Sequence, residues 1–327
     1  MSDSPQFPEF PAPPAEPVVA WHAEAPPPPP APRERYWLHI VLFLATFLTT
    51  TFVGGGHWLG FKSDFGSRAV AAGAGTLAVQ GLWYSLTLLA ILGAHEAGHY
   101  MACRYYRISA SLPYFLPMPF GFAGTFGAVI RIRQPLTTKG KVFDVGVAGP
   151  FAGFLVAVPA LLVGLAMSTV APLPPVFSGA ELGEPLLFKG AEWLVWGAIP
   201  DNLSLNLHPM AFAAWIGLLV TALNLLPVGQ LDGGHIAYAV FGRHSLYVTI
   251  GTIAVAIGLC FYSSSWMVWT GLLVAMLTFF GWRHPPAWDD HVPLDRTRLW
   301  LAIVALVVFV VCFTPAPIEP LDLIRPQ

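Results

Sequence analysis

Two groups of residues in this chain have the types and spacing to do chemistry. The first is Gly93-Ala94-His95-Glu96-Ala97-Gly98-His99-Tyr100. His95 and His99 are four residues apart, so a helix carries both imidazoles on one face. Two such nitrogens suit a zinc ion, bound at about 2.0–2.1 Å. Glu96 projects from a neighbouring position and can reach a metal-bound water without ligating the metal. The H-E-x-x-H arrangement is that of metal-assisted hydrolysis. Zinc lowers the pKa of the water to about 7, and the carboxylate takes its proton during attack on a carbonyl. A chance match in a chain this long has odds on the order of one in a hundred. A match inside an apolar run is rarer, because Glu and His are costly in lipid.

A tetrahedral catalytic site wants a third protein ligand and one open position. The second group is Asn224-Leu225-Leu226-Pro227-Val228-Gly229-Gln230-Leu231-Asp232-Gly233-Gly234-His235. It puts Asp232 in a stretch broken by proline and glycine. Irregular backbone at membrane depth is tolerated only where it is buried in protein or lines a wet cavity. That fits a carboxylate turned toward a metal. His235 is the rival third ligand, and otherwise a supporting or interface residue. Asn224 is a candidate donor to a developing oxyanion or to substrate backbone, unless it satisfies backbone freed by Pro227.

The elements that must position these groups are membrane helices. The chain is 55% hydrophobic and only 10% charged, against about 25% charged in soluble domains. Spans of about 20 apolar residues are expected over 37–55, 80–102, 145–170, 210–240, 246–263, 265–282 and 298–315, the fourth as a broken helix. The expected fold class is an all-α polytopic membrane protein with about seven transmembrane helices and a membrane-associated β-hairpin. The last three spans hold no acid and no histidine. With the N-terminus cytoplasmic, only Lys62, Arg68, Lys189 and Arg325 of the 16 Lys and Arg residues lie on the far side. That positive-inside bias fixes the orientation; in a bacterial cell the membrane would be the inner (plasma) membrane. The loop 171–209 then faces outward. The net charge of −2 excludes the basic stripe of a nucleic-acid binder. Cys103, Cys260 and Cys312 form neither a disulfide framework nor a zinc ribbon.

Residues 1–36 read as a proline-rich cytoplasmic tail, with no basic start and apolar core of a leader. The first span and outer loop follow over 37–79, the catalytic core over 80–242, and the C-terminal spans and tail over 243–327. Within the core, Pro113, Pro117 and Pro119 forbid a helix, while Thr125 to Arg133 is β-prone. A hairpin dipping into the membrane beside the metal is expected, its open edge able to take up an extended substrate strand. Gly149 and Gly153 read as a close-packing pair with a bend at Pro150. Asp144 sits at the mouth of the third span. His57 reads as a loop residue near the outer interface with Trp58 as anchor, and His208 as interfacial.

The pair His95-Glu-Ala-Gly-His99 and Asn224-Leu-Leu-Pro227 through Asp232-Gly233 resembles the site-2 protease family of intramembrane metalloproteases. Gly124-Thr125-Phe126-Gly127 and Phe143-Asp144-Val145-Gly146-Val147-Ala148-Gly149-Pro150 are similar to its bacterial and plastid branch. The resemblance covers roughly 80–240. It implies a three-helix catalytic core, one Zn2+ held by His95, His99 and Asp232, and Glu96 as the catalytic carboxylate. It also implies single-span membrane protein substrates, cut after an upstream site-1 protease has acted, with Gly124 to Gly127 supporting the substrate. No inserted PDZ domain is visible in the sequence. Two other readings are a metal transporter, which would favour repeated symmetric polar sites, and an inactive scaffold, which would have lost Glu96 or a ligand. The sequence has neither the repeat nor the loss.

Overall fold

The computed structural model describes residues 34–174, 176–200 and 202–324, so the proline-rich tail lies outside the described residues. Three long helices come first: α1 (Tyr36–Lys62), α2 (Ala74–Tyr105) and α3 (Lys139–Ala166). Strands β1 (Tyr114–Pro117) and β2 (Thr125–Val129) lie between α2 and α3. After α3 come β3 (Thr169–Ala171), β4 (Val176–Leu182), α4 (Leu186–Trp196) and β5 (Ser204–Asn206). Then follow α5 (Pro209–Asn224), α6 (Asp232–Phe241), α7 (Ser245–Leu259), α8 (Ser265–Phe280), α9 (Arg296–Cys312) and β6 (Ile318–Ile324).

The faces of α1 are inverted relative to a helix in water. His39, Thr46, Thr50 and Thr51 are buried, whereas Trp37, Ile40, Leu44, Leu48 and Phe52 are exposed. A row of large apolar side chains turned outward is stable where the surroundings are themselves apolar. α1, α2, α3 and the continuous run Asp232–Leu259 are long and apolar enough to cross a membrane. Among the described residues, four helices rather than the expected seven meet that length and composition. α5 and α8 have 16 residues each and α9 has 17, roughly 24–26 Å against a hydrocarbon core of about 30 Å.

Several boundaries differ from expectation for identifiable reasons. The first helix runs on to Lys62 through Gly54, Gly55 and Gly56, and the first two of these glycines let α2 approach closely. A Cβ on Gly54 would lie 2.8 Å from Tyr84 Cβ, and one on Gly55 3.0 Å from the Leu77 carbonyl. His57 is thus a helical residue, not a loop residue, and its Nε2 lies 2.8 Å from the Phe122 carbonyl. α3 starts early, at the Thr138 cap, whose side chain accepts from the Lys141 N–H. It runs unbroken through Pro150 and Pro159. His208 is buried and caps α5, accepting from Met210 N–H at 3.2 Å.

The expected fourth span divides into α5 and α6. Pro227 offers no N–H, and Gly229 takes φ +53°, so Leu225 to Leu231 is irregular. Tight bonds from Val228 N to Leu226 O (2.7 Å) and Leu231 N to Val228 O (3.1 Å) hold it. Added Cβ atoms on Gly233 and Gly234 would strike the Leu225 and Gly229 carbonyls, so the start of α6 folds directly back on this break.

β1 and β2 form an antiparallel hairpin in the register Tyr114↔Val129, Phe115↔Ala128 and Pro117↔Thr125. It lies along α1: His39 Nδ1 lies 3.1 Å from the Pro113 carbonyl, and Thr49 Oγ1 donates to the Gly124 carbonyl at 2.7 Å. Those two anchors are ten residues apart on one helix, so the hairpin advances about 15 Å along it. Segment 171–209 is not a plain loop. β3 pairs with β5, and β4 pairs along its length with β6, from Val176↔Ile324 to Leu182↔Ile318. Ile318–Ile324, expected as part of a tail, is accordingly a strand. The main core of Tyr84, Leu88, Phe143, Leu161, Trp215 and Leu218 packs between α2, α3 and α5.

Candidate active site

α2 brings His95 and His99 to one face, as their spacing requires. His95 Nε2 and His99 Nε2 lie 3.1 Å apart. Asp232, the first residue of α6, faces both: its Oδ2 is 3.2 Å from His95 Nε2 and its Oδ1 3.3 Å from His99 Nε2. At a helix N-terminus the helix dipole favours that carboxylate. A tetrahedral zinc with bonds of about 2.0–2.1 Å sets its ligand atoms roughly 3.3–3.4 Å apart. The three donor groups already stand at nearly that spacing. His95 and His99 are 4% and 7% exposed, so water does little to screen donors that share one point. The residues fit a zinc ion.

α3 supplies the support. The Val145 carbonyl lies 2.7 Å from His99 Nδ1. A carbonyl only accepts, so Nδ1 carries the proton and Nε2 presents its lone pair to the centre. Gly149 makes room for the ring: an added Cβ would lie 2.1 Å from His99 Nε2. Gly153 does the same more gently for His95, where a Cβ would lie 3.2 Å from His95 Cβ. On α2, Gly98 lies directly against the Ala148 carbonyl. The close-packing glycines of the sequence are therefore seats for the two histidines.

Glu96 is buried at 7% exposure, and the Ile130 backbone N–H, one residue beyond β2, faces its carboxylate. That end of the hairpin packs along α2 beside the carboxylate. Ser111 fixes this end of the strand, its Oγ accepting from Arg131 N–H at 2.9 Å. At the far end, Tyr84 Oη donates to the Ala123 carbonyl at 2.8 Å. Gly124 and Gly127 take φ +74° and +100°, conformations that favour glycine. Thr125 is buried and donates to the Leu116 carbonyl at 2.8 Å, while Phe126 is 74% exposed.

Asn224, the last residue of α5, places Nδ2 3.3 Å from His95 Nε2 and so belongs to the site. His235 does not join the donor cluster. Its Nδ1 lies 2.7 Å from Nε2 of His284. Asp144 is drawn into an ion pair, 2.6 Å from Arg298 Nη2, and accepts from Tyr106 Oη. Sequence reasoning passed over His284, Val145 and the role of Gly149. The run Gly146, Gly149, Gly153 on one face of α3 was the available signal for the last of these. A backbone carbonyl leaves no signal at all.

A family model for peptidase family M50 matches residues 83–265. "Probable zinc metalloprotease EGY2, chloroplastic" of Oryza sativa subsp. indica is 32% identical over 248 residues, 74% of this chain and 44% of that protein. "Probable zinc metalloprotease EGY1, chloroplastic" of Arabidopsis thaliana is 32% identical over 240 residues, 70% of this chain and 42% of its own length. "Probable zinc metallopeptidase EGY3, chloroplastic" of the same plant is 29% identical over 246 residues, 69% of this chain and 41% of that protein. The chain spans less than half the length of these relatives.

Proposed function

The chain belongs to peptidase family M50, the site-2 protease family, and from that membership we propose that it is an intramembrane zinc endopeptidase. Its substrates are single-span membrane proteins, cut within the membrane-spanning segment. The observation that carries the reading is the triangle of His95, His99 and Asp232, with buried Glu96 next to His95 and the β1–β2 hairpin packed along the same helix.

Zinc, when bound by His95, His99 and Asp232, supplies a Lewis acid that polarises a carbonyl and acidifies water. The chain's own residues do the rest. Glu96 takes a proton from the attacking water and returns it to the amide nitrogen as the C–N bond breaks. Asn224 donates its amide N–H to the substrate oxygen, which becomes negative in the transition state. Val145 holds the His99 tautomer. The outer edge of β2 adds an extended substrate strand, which answers a physical need: a helical peptide bond is shielded by its own hydrogen bonds. Exposed Phe126 and the glycines at 124 and 127 shape that edge.

The positive-inside bias supports a cytoplasmic N-terminus. On this reading α6 completes a broken span with α5, and that pair, α7, α8 and α9 join α1, α2 and α3 to make seven spans, several of them short or broken. An upstream protease that trims the exported part of the substrate is the partner this arrangement calls for. The test is purified protein in detergent with a single-span model substrate, the product ends mapped by mass spectrometry. Cleavage inside the apolar segment, abolished by a zinc chelator and restored by zinc, is expected. Cleavage only in soluble flanks, or indifference to chelation, overturns the proposal.

A further inference from the structure

His284 lies outside the donor triangle, yet the contacts around it lead back to Asp232. α6 has ten residues and follows the irregular stretch Leu225 to Leu231. A helix that short does not hold its own direction; its neighbours set it. On one side stands α3, where Gly146 admits α6 so closely that a Cβ would lie 2.8 Å from His235 Cβ and 3.2 Å from the Asp232 carbonyl. On the other stands the segment joining α8 to α9.

That segment holds α6 at two residues three apart, hence on one face. His284 Nε2 lies 2.7 Å from His235 Nδ1. The His284 ring stacks on Tyr238, with centroids 4.2 Å apart and planes 12° from parallel. Tyr238 Oη in turn donates to Asp290 Oδ1 at 2.9 Å and accepts from Ala287 N–H at 2.6 Å. The directions of the histidine bonds are fixed. His284 Nδ1 lies 2.7 Å from the Pro285 carbonyl and so carries the proton. His284 Nε2 is therefore the acceptor, and His235 Nδ1 donates.

The same segment is tied to the start of α3. Trp288 N–H donates to the Thr137 carbonyl at 2.9 Å, Lys139 N–H to Asp289 Oδ1 at 2.8 Å, and Lys139 Nζ to the Asp290 carbonyl at 3.3 Å. α3 carries Val145, which orients His99. One loop thus joins the helix that presents Asp232 to the helix that orients His99.

We propose that His284 is a positioning residue for the metal centre, acting through His235 and Tyr238 to clamp α6 and hold Asp232 at its distance from His95 and His99. The inference rests on the reading of those three residues as metal ligands. It assigns His235 the role of a link rather than a ligand.

The experiment is zinc affinity by chelator competition on the full chain in detergent, for wild type, His284→Ala, His284→Gln, Tyr238→Phe and Asp232→Ala. Outer-shell partners commonly contribute about 10–100-fold to metal affinity. His284→Ala is expected to weaken zinc by about tenfold or more. His284→Gln, whose side-chain oxygen can accept from His235 Nδ1, is expected to recover most of that. Tyr238→Phe keeps the stack, loses the link to Ala287 and Asp290, and is expected to fall between them; it carries the test should His284→Ala fail to fold. Zinc affinity in the folded state is a readout that loose packing of a distant loop does not move. Wild-type affinity in His284→Ala, or equal losses in the Ala and Gln variants, overturns the clamp. If Asp232→Ala loses zinc while His284→Ala keeps it, only the clamp fails. If Asp232→Ala keeps zinc, the ligand assignment fails and the clamp with it.

Discussion

Gly149→Ala is the smallest change expected to disable the centre. The added methyl would lie 2.1 Å from His99 Nε2 and 2.5 Å from the ring carbons beside it. Non-bonded carbon contacts settle at about 3.5–4.0 Å, so ring or helix must withdraw by more than about 1 Å. Overpacking of this kind costs about 1–3 kcal/mol of stability, which a bundle of this size can survive. Metal bonds tolerate only about 0.2 Å, so His99 cannot remain a ligand after such a shift. The expected result is a folded protein whose zinc affinity falls by about a hundredfold, near the top of the range for disturbed support around a metal. Two controls grade the effect. Gly153→Ala meets His95 Cβ at 3.2 Å and should cost little zinc, because a small adjustment relieves it. Gly251→Ala meets nothing within 4 Å and should match wild type or gain slightly from better helix propensity. Zinc content and chelator competition, with thermal unfolding beside them, are the assays. Wild-type zinc affinity in folded Gly149→Ala refutes the placement of the His99 ring against α3.

Other outcomes follow from the same geometry. Asp232→Ala should lose most bound zinc while the fold persists, checked by metal analysis of the purified variant. Tyr84→Phe removes the hydroxyl that holds the Ala123 carbonyl; it should cost about 1 kcal/mol and raise KM with zinc content unchanged, since it loosens only the hairpin tip. At the N-terminal end of α5, burial and the nearby Lys62 lower the His208 pKa from 6.5 to about 4. The folded protein therefore resists protonating it. Its contribution to stability is complete above about pH 6.5 and declines as pH falls toward 4. His208→Asn, a neutral cap, should flatten that part of a stability-versus-pH curve measured by thermal unfolding.

Much of the site was legible in the sequence because its signals are local. The spacing of His95 and His99 dictates a shared helix face, and an acid in a proline- and glycine-broken apolar run has few reasons to be there other than a ligand's. The hairpin was legible from its prolines and its β-prone continuation. The division of the fourth expected span was only half legible. Pro227 and the glycines announce a break, but that α6 runs on into α7 depends on packing. The pairing of β4 with β6 joins segments about 140 residues apart, and no periodicity within either strand announces a partner. His284 was invisible for a similar reason: a lone histidine before two prolines acquires meaning only from His235 and Tyr238 against it. Gly149 was legible as a helix-packing glycine but not as the seat of the His99 ring, because the two look alike until the ring is in place.

The most direct measurement pairs metal analysis with a cleavage assay on wild type and Glu96→Gln, purified in detergent and given the same single-span substrate. Glu96 lies beside the ligands without being one, so the substitution should leave about one zinc per chain in both proteins and lower cleavage by at least about a hundredfold. Zinc absent from both proteins while they remain folded, or cleavage undiminished in Glu96→Gln, contradicts a zinc centre at His95, His99 and Asp232 served by Glu96.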